Sequence, residues 1–387
     1  MDTSNYPLCN ITQLRELVLD AALMAQMGAR PRPTLVLSPP GSGKSETGAL
    51  ITAILNTLPN PWGSPYQFVP LEGGLTVPEE IGGVPVRDEK SGGVIRFPLG
   101  PIKTACSFPS VLLLDEVTRC DSTRQGAFMT GVNERRFGDW HLHPGTVVML
   151  AGNEPDSGGV FSLLDALLNR CCVVRLRTER EEIRNYLRGA FNTVPQLPAL
   201  PVDAPQRFAS ERARLTGLWA DYSEGRSEMI SEEPPKGFSE TGALWPSGRA
   251  VVHACERLAA RSARGASVSD EVALTHVSGT VGREIGVLWH RLNELAGKLP
   301  SIAEINANPA AARVPPDVES AIASLGMLPH IGNNALWVYL SRYDDRFAEI
   351  KAAATKRCQG KIPTDTGAPL QAFNKLLARV HNAIKPR

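Results

Sequence analysis

The strongest constraint on the fold of this sequence is a glycine-rich loop between an apolar run and a helical pattern. Leu35–Leu37 suits a buried strand, and the residues from Lys44 to Leu58 are patterned as a helix. Glycines let a loop curl until several backbone N–H groups converge on a polyphosphate, while a lysine reaches the terminal phosphates and a hydroxyl faces Mg²⁺. The sequence therefore predicts a strand–loop–helix unit that binds a nucleotide, with Ser45 on the metal, through Pro40, Gly41, Ser42, Gly43, Lys44 and Ser45.

The first position of this loop departs from the usual pattern. In G-x-x-x-x-G-K-[ST] the first residue is glycine, and here it is Ser38. Serine tolerates a left-handed backbone less well than glycine, so we expect any distortion of the loop at its first turn. The alternative is a glycine-rich turn that only joins strand to helix. The adjacent Gly43-Lys44-Ser45 and a second motif disfavour that alternative.

The second motif is a pair of carboxylates at the end of an apolar run. Val111–Leu114 predicts a buried strand, and Asp115 and Glu116 follow it directly. Open parallel sheets bind ligands at the carboxyl ends of their strands. We therefore expect Asp115 to hold Mg²⁺ through water and Glu116 to polarise the attacking water as general base. Alone, the pair would fit an ordinary solvated strand end, but together with the phosphate loop it favours the catalytic interpretation.

Short apolar runs that alternate with helical stretches set the predicted organisation of the chain. Further runs at Val147–Ala151 and Val173–Leu176 favour an α/β fold with a parallel sheet covered on both faces. Prolines at 195, 198, 201 and 205 predict a linker, and only helices follow it, at 206–222, 247–264 and 269–296. The predicted domains are an αβ core at 1–190, the linker at 191–205, a helical lid at 206–298 and a helical extension at 299–387.

Composition excludes several classes of protein. The chain has 41 basic and 40 acidic residues, which disfavours bulk electrostatic binding of nucleic acid. No apolar run approaches the roughly 18 residues of a membrane span. Seven cysteines, of which only Cys171 and Cys172 are adjacent, fit neither a disulfide framework nor a zinc ribbon. No basic leader precedes an apolar block, so we expect a cytoplasmic protein. The short charge pair Glu181-Glu182 is expected to be solvated.

The order of these motifs resembles the MoxR branch of the AAA+ ATPases over residues 10–295. The family string D-E-I-N-R-A corresponds to Asp115–Cys120, with threonine at position 118 in place of asparagine. Phe68–Gly83, Gly100–Ile102 and, with substitutions, Gln125–Arg135 correspond to three further family signatures. The resemblance implies an AAA+ P-loop NTPase core followed by an all-helical lid, ATP and Mg²⁺ as ligands, and ATP hydrolysis as the activity.

The resemblance also implies roles for two residues around the ends of the sheet. Asn153, in the string Ala151–Pro155, corresponds to the polar sensor that orients the lytic water, and Glu154 departs from the family pattern there. Arg170, in the string Leu163–Cys171, corresponds to an arginine finger that enters the nucleotide site of a neighbouring subunit. The residues alone would also fit a turn-forming asparagine and an arginine that compensates a helix dipole. Fallback candidates for the finger are Arg119, Arg135 and Arg136.

A third residue is implied in the helical domain. Arg249, in the string Trp245–Ala250, corresponds to the second sensor of the family. Ser247 would cap the helix and leave Arg249 in its first turn, where it could lean toward the phosphates across the domain cleft. The alternative is an ordinary surface arginine.

Three functional hypotheses follow. The first is a homo-oligomer, a hexamer or a helical filament, that hydrolyses ATP to remodel a protein partner, and the resemblance adds an adaptor with a von Willebrand factor A domain. Partner choice would come from loops 75–83 or 135–140, from the C-terminal extension or from the adaptor. The second is an ATP-dependent assembly switch with slow turnover, motivated by Ser38, Thr118 and Glu154. The third is a nucleic-acid-directed motor, which the near-neutral charge disfavours.

Overall fold

The computed structural model describes residues 5–89, 91–98, 100–154, 161–189, 194–223, 228–234, 242–296, 298–300, 302–325, 328 and 331–384. They belong to two compact units, one of Met1–Thr216 and Ile230–Val287 and one of Gly217–Met229 and Leu288–Arg387. Of the helices in the described ranges, none is both long and apolar enough to cross a membrane.

A six-stranded parallel sheet lies at the centre of the first unit. The strands of the unit are β1 (Leu8–Cys9), β2 (Thr34–Ser38), β3 (Gln67–Glu72), β4 (Val84–Arg87), β5 (Val94–Phe97), β6 (Ser110–Asp115), β7 (Arg136–Phe137), β8 (Trp140–His141), β9 (Val147–Asn153) and β10 (Cys172–Leu176). The sheet order is β1-β10-β2-β9-β6-β3, while β4–β5 and β7–β8 form two antiparallel hairpins. Strands β2 and β9 are buried along their whole length, as expected for parallel strands covered on both faces. The predicted α/β P-loop fold is confirmed.

The first unit also contains helices. They are α1 (Ile11–Gln26), α2 (Lys44–Leu55), α3 (Pro78–Gly82), α4 (Gly100–Ser107), α5 (Ser122–Glu134), α6 (Asp165–Leu168), α7 (Arg180–Leu187), α8 (Ala204–Ser223, which continues into the second unit), α9 (Gly248–Ala263), α10 (Glu271–Val281) and the start of α11 (Arg283–Ala296). Helix α1 begins at a capping box, in which Asn10 and Gln13 bond to each other's backbone N–H, and buries Leu14, Leu17 and Val18. The helices predicted near 10–27, 44–58, 206–222 and 247–264 are confirmed.

A buried network of charged side chains joins α1 to α9 and α10. Asp20 is fully buried in α1 and is bonded by Arg261 and Arg264 of α9 and by His276 of α10. Burial acts to raise the pKa of Asp20, but the His276 hydrogen bond and the two arginines outweigh it, so the pKa lies below its ordinary value. A buried carboxylate with this many partners fixes the three helices to one another, because removal of one partner leaves an uncompensated buried charge.

Two predictions about individual elements are wrong in detail. The helix predicted over 269–296 is two helices, α10 and α11, separated at Gly282, whose φ is +95°. A Cβ at Gly282 would lie 2.9 Å from the Leu244 carbonyl oxygen, so only glycine fits this break. Strand β3 was not predicted, because Pro70 interrupts the strand pattern there. Pro70 is tolerated because β3 is the edge strand of the sheet.

The second unit is helical. Its described elements are the end of α8, the rest of α11, α12 (Ile302–Ala307), α13 (Val318–Ser324), α14 (Asn333–Ser341), a 3₁₀ turn (Asp345–Phe347), α15 (Ala348–Cys358) and α16 (Ala368–Ile384). Aromatic contacts stabilise it: the ring centroids of the buried Trp219 and Trp289 lie 4.3 Å apart, and those of the buried Trp337 and the partly buried Phe373 lie 4.7 Å apart. Helices α9 and α10, predicted to lie in a separate lid, belong to the unit that holds the sheet. The predicted domain boundaries at 190, 205 and 298 stay predictions; residues 191–193 of the linker lie outside the described residues.

Candidate nucleotide site

The predicted phosphate loop and carboxylates meet at the carboxyl edge of the sheet. Strand β2 ends at Ser38, which is paired with Asn153 at the end of β9. Strand β6 lies on the other side of β9 and ends at Asp115. Because the strands are parallel, the loop that follows Ser38, the carboxylates and the sensor candidate Asn153 emerge side by side.

Two glycines give the phosphate loop its curl. Gly41 and Gly43 have φ of +74° and +81°, and α2 begins immediately afterwards at Lys44. Ser38 keeps a strand conformation as the last residue of β2, so the distortion expected at the first turn is absent. Its buried hydroxyl is instead 2.6 Å from Ser42 Oγ and accepts a 2.8 Å hydrogen bond from Lys44 Nζ. The serine therefore supports the loop from inside.

Lys44 lies at the centre of the site. Besides Ser38, its Nζ lies 3.5 Å from the Pro39 carbonyl oxygen and 3.5 Å from Asn153 Oδ1. Burial lowers the pKa of Lys44, and the charges of Asp115 and Glu116 act in the opposite direction. An ammonium with neutral oxygen partners can exchange them for phosphate oxygens, which carry more negative charge.

Ser45 and Asp115 form the pair expected for a metal. Ser45 Oγ donates to Asp115 Oδ2 at 3.3 Å, and Asp115 Oδ1 accepts the N–H of Glu116 at 2.8 Å. One hydroxyl and one carboxylate suit Mg²⁺, which prefers hard oxygen ligands and keeps most of its shell for water and phosphates. The described residues contain no cluster of three or more His, Cys, Asp or Glu side chains that could hold a metal by themselves.

Glu116 has an unusual backbone conformation. Its φ is +55°, in the left-handed region that side chains other than glycine rarely adopt. The carboxylate lies beside Arg119, with Oε1 2.9 Å from Nη1. Strained backbone of this kind is typical of functional sites.

Asn153 is tied to the turn that follows Glu116. The Asn153 N–H donates to Thr118 Oγ1 at 2.9 Å, so the threonine in place of the family's asparagine connects β9 to this turn. Glu154 accepts hydrogen bonds from both nitrogens of the Arg177 fork at 2.8 Å and from Arg175 Nε at 3.1 Å. Burial acts to raise the pKa of Glu154, and these bonds outweigh it, so its pKa lies below the ordinary value. Pro155 lies outside the described residues.

A cleft beside the loop was not found by sequence reasoning. It has a volume of about 340 Å³ and is lined by the loop at Gly41–Gly43 and by Ile11, Thr178, Glu182, Ile183, Tyr186 and Leu187. Glu182, expected to be solvated, is partly buried and accepts hydrogen bonds from the N–H groups of Ile11 and Thr12 at 3.0 and 3.4 Å. It thus caps α1 from a position 171 residues away along the chain, which no local pattern indicates.

Arg170 lies at the opposite edge of the sheet. It precedes β10, whose first residue Cys172 pairs with Thr34, the first residue of β2. The loop follows the last residue of β2, so the two are separated by the length of that strand, about 13 Å. Arg170 Nε donates to Asn133 Oδ1 at 2.9 Å, and Arg30 Nη2 donates to the carbonyl of the same asparagine.

Arg249 lies with Arg170 rather than with the phosphate loop. Ser247 caps α9, as expected, and its hydroxyl also donates to Asn169 Oδ1 at 2.9 Å, next to Arg170. Burial, and then the charge of Arg249, lowers the pKa of Arg170. The expectation that Arg249 leans toward the phosphates is therefore not met within one chain, because the start of α9 is bound at the amino edge.

The fallback arginines occupy other places. Arg119 is paired with Glu116 at the carboxyl edge. Arg135 donates to the carbonyls of His143 and Pro144, and burial together with Arg30 and Arg32 lowers its pKa to about 10. Arg136 is bonded to Glu134 and to the Gly138 carbonyl.

Comparison with known proteins finds a similar domain family for the core. Residues 33–171 match the family described as the AAA domain of the dynein-related subfamily. A comparison with curated proteins finds no match. Among solved structures, a candidate ATPase from Cytophaga hutchinsonii is 13% identical with a TM-score of 0.39, over 72% of this chain and 84% of that chain. The active helicase Cch of SCCmec type IV is 10% identical with a TM-score of 0.35, over 76% and 50% of the two chains. A RuvB mutant from Thermotoga maritima is 13% identical with a TM-score of 0.30, over 95% and 87%. The match over residues 33–171 agrees with the P-loop sheet described above, so the core has an AAA P-loop fold.

Proposed function

We propose that this chain is a Mg²⁺-dependent ATPase of the MoxR branch whose active sites are completed between the subunits of an oligomer. The observation that carries this proposal is the division of the functional residues between two edges of the sheet. Lys44, Asp115 and Glu116 lie at the carboxyl edge, while Arg170 and Arg249 lie at the amino edge. A nearby arginine stabilises the transition-state charge on a transferred phosphoryl group, and Arg170 and Arg249 can reach the phosphates only from a neighbouring chain.

Within one chain, the carboxyl edge binds ATP and activates water. The loop N–H groups around Gly41 and Gly43 cradle the phosphates, and Lys44 exchanges Ser38 and Asn153 for phosphate oxygens. Ser45 and Asp115 hold Mg²⁺, which when bound neutralises phosphate charge. Glu116 accepts the proton of the attacking water, and the Asn153 amide orients that water.

The cleft beside the loop fits the base of the nucleotide. It adjoins Gly41–Gly43, and Ile11, Ile183 and Leu187 supply apolar side chains for a flat ring. A volume of about 340 Å³ lies within the usual range for small-ligand pockets.

An oligomer that uses opposite edges is built from head-to-tail contacts. Such contacts close into rings or continue as helical filaments, depending on the rotation between subunits. In either form, Arg170 and Arg249 of one subunit face the phosphates held by the next. The bond between Ser247 and Asn169, the residue before Arg170, keeps the start of α9 beside Arg170 and supports joint action of the two arginines.

Hydrolysis is favoured over a pure assembly switch by the three departures from the family pattern. Ser38 holds Lys44, Thr118 anchors the N–H of Asn153, and Glu154 is paired with Arg175 and Arg177. Each side chain therefore has a function in an ordered site.

The partner is proposed to be a protein, engaged directly or through an adaptor with a von Willebrand factor A domain. The two hairpins are candidate contact elements because they pack together: Phe97 and Trp140 are in edge-to-face contact with ring centroids 5.1 Å apart, and the Arg96 N–H donates to Asp139 at 2.6 Å. Leu75, in the preceding loop, is 77% exposed.

The test is ATPase activity per subunit against protein concentration. We expect the wild-type rate to rise with concentration and the Arg170→Ala and Arg249→Ala rates to stay flat, while the surface control Arg207→Ala behaves as wild type. Mixing Arg170→Ala with Glu116→Gln should restore part of the activity, because a site is complete wherever the base of an Arg170→Ala subunit faces the arginine pair of a Glu116→Gln subunit. A mixture no more active than the sum of its parts would contradict sites completed between subunits.

Two probes separate the proposed partner classes. Stimulation of the ATPase by an acid-denatured protein supports remodelling of protein. Stimulation by single-stranded DNA that disappears steeply with added salt supports the nucleic-acid motor instead.

A further inference from the structure

The candidate general base is engaged by a cation of its own chain. Glu116 Oε1 lies 2.9 Å from Arg119 Nη1, and the side chains are 30% and 50% exposed. Val117–Arg119 is a 3₁₀ turn in which the Arg119 N–H donates to the Glu116 carbonyl at 2.8 Å. The pairing is therefore built into the turn that follows the carboxylates.

The surroundings hold the Glu116 carboxylate in this position. Its left-handed backbone, with φ of +55°, is fixed by the hydrogen bond from its N–H to Asp115 Oδ1. A Cβ at Gly74 would lie 3.0 Å from Glu116 Oε2, so glycine at that position leaves the space the carboxylate occupies. The Glu116 carboxylate is thus held between Arg119 on one side and the backbone at Gly74 on the other.

We propose that Arg119 is a positioning residue that latches Glu116 and slows hydrolysis in the isolated chain. This inference rests on the proposed function, in which Glu116 is the general base. A carboxylate oxygen that accepts a hydrogen bond from a guanidinium has a lone pair occupied and is held against Arg119, so it is not free to bond the attacking water. Arg119 is therefore not a finger in this proposal, because it lies beside the general base of its own chain and not with Arg170 at the amino edge.

Opening of the latch needs only a side-chain movement. The turn itself is anchored, since Thr118 Oγ1 accepts the Asn153 N–H and the Thr118 carbonyl accepts the Phe161 N–H at 2.7 Å. The Arg119 side chain is half exposed, so a carboxylate brought to this edge by a neighbouring subunit can take the guanidinium. A half-exposed ion pair contributes little free energy, so we expect the latch to change the rate by about two- to fivefold.

The experiment compares Arg119→Ala, Arg119→Lys and the control Arg124→Ala with the wild-type chain. The control removes the same charge five residues further on, from a side chain that does not bond Glu116. Phosphate release is measured at protein concentrations where the wild-type rate per subunit is constant, with ATP binding and thermal unfolding measured alongside. We expect Arg119→Ala to raise kcat about two- to fivefold with KM unchanged, Arg119→Lys to fall between, and Arg124→Ala to match wild type.

The outcomes separate this inference from the proposed function. An unchanged or lower kcat in Arg119→Ala overturns the latch, and a lower kcat that recovers on mixing with Glu116→Gln makes Arg119 a finger. The increase in kcat caused by Arg119→Ala must also be absent when the double variant Arg119→Ala/Glu116→Gln is compared with Glu116→Gln alone. If the increase persists there, Arg119 does not act through the base. If Glu116→Gln alone hydrolyses ATP as fast as wild type, the proposed function fails regardless of Arg119.

Discussion

Asn133 offers a sharp test of how Arg170 is aimed. Asn133→Ala removes the acceptor of the 2.9 Å bond from Arg170 Nε. The bond from Arg30 goes to the backbone carbonyl and survives the substitution. A hydrogen bond to a charged group contributes roughly 1.5–3 kcal/mol, and partial exposure reduces this to about 1 kcal/mol. That amount corresponds to about a fivefold loss of rate, far less than the ~10³-fold effect of an arginine finger.

The assay is the ATPase rate at saturating ATP in the concentration range where subunits associate. We expect Asn133→Ala to lower kcat about fivefold with KM for ATP unchanged, and Asn133→Asp, which keeps an oxygen acceptor, to stay near wild type. In the Arg170→Ala background, Asn133→Ala should have no further effect, because the group it orients is gone. An equal fivefold loss in both backgrounds would refute the reasoning and make Asn133 a stability residue.

Three further predictions concern stability. Burial and four neighbouring arginines lower the pKa of His253 to about 2, so the unfolded chain takes up a proton near pH 6.5 that the folded chain does not. This group should thus lower the unfolding free energy by about 1.4 kcal/mol for each pH unit below pH 6.5. In denaturation at pH 6.5, 5.5 and 4.5, the unfolding free energy of His253→Gln should depend less steeply on pH than that of the wild type. Gly282→Ala should lower the unfolding free energy by about 2–4 kcal/mol through its positive φ and the close Leu244 carbonyl, with an unchanged melting temperature as the contrary result. Glu154→Gln should lower the unfolding free energy by about 2 kcal/mol, because Arg177 loses the negative charge of its partner. Arg177 is partly exposed, so salt screens this pair, and denaturant titration should show a smaller loss at high salt than at low salt.

The parts of the site that are contiguous in sequence could be predicted. The loop from Ser38 to Ser45 and the Asp115–Glu116 pair each carry their chemistry within a few residues, next to apolar runs that identify the strands. Parallel strands then bring both motifs to one edge, which follows from topology alone. The sequence therefore indicated the nucleotide chemistry before the fold was known.

The parts that depend on distant contacts could not be predicted. The position of Arg249 depends on the Ser247–Asn169 bond, which joins residues 78 apart, and the cap that Glu182 provides joins α7 to α1. Ser38, where the pattern G-x-x-x-x-G-K-[ST] has glycine, put the first turn of the loop in question, because serine tolerates a left-handed backbone less well than glycine. In the structure its hydroxyl is used by Lys44, a contact that a pattern of residue types does not contain. In each case the position of the side chain depends on a contact with a residue elsewhere in the chain, which the residue type alone does not indicate.

The buried network around Asp20 couples helix α1 rigidly to helix α9. Helix α1 begins at Ile11, which lines the cleft beside the phosphate loop, and its Asp20 is bonded to Arg261 and Arg264 near the end of α9. The other end of α9, about 18–22 Å away, carries Arg249. In the proposed oligomer, a movement of α1 on nucleotide binding would therefore be transmitted through α9 to the amino edge, where the next subunit lies.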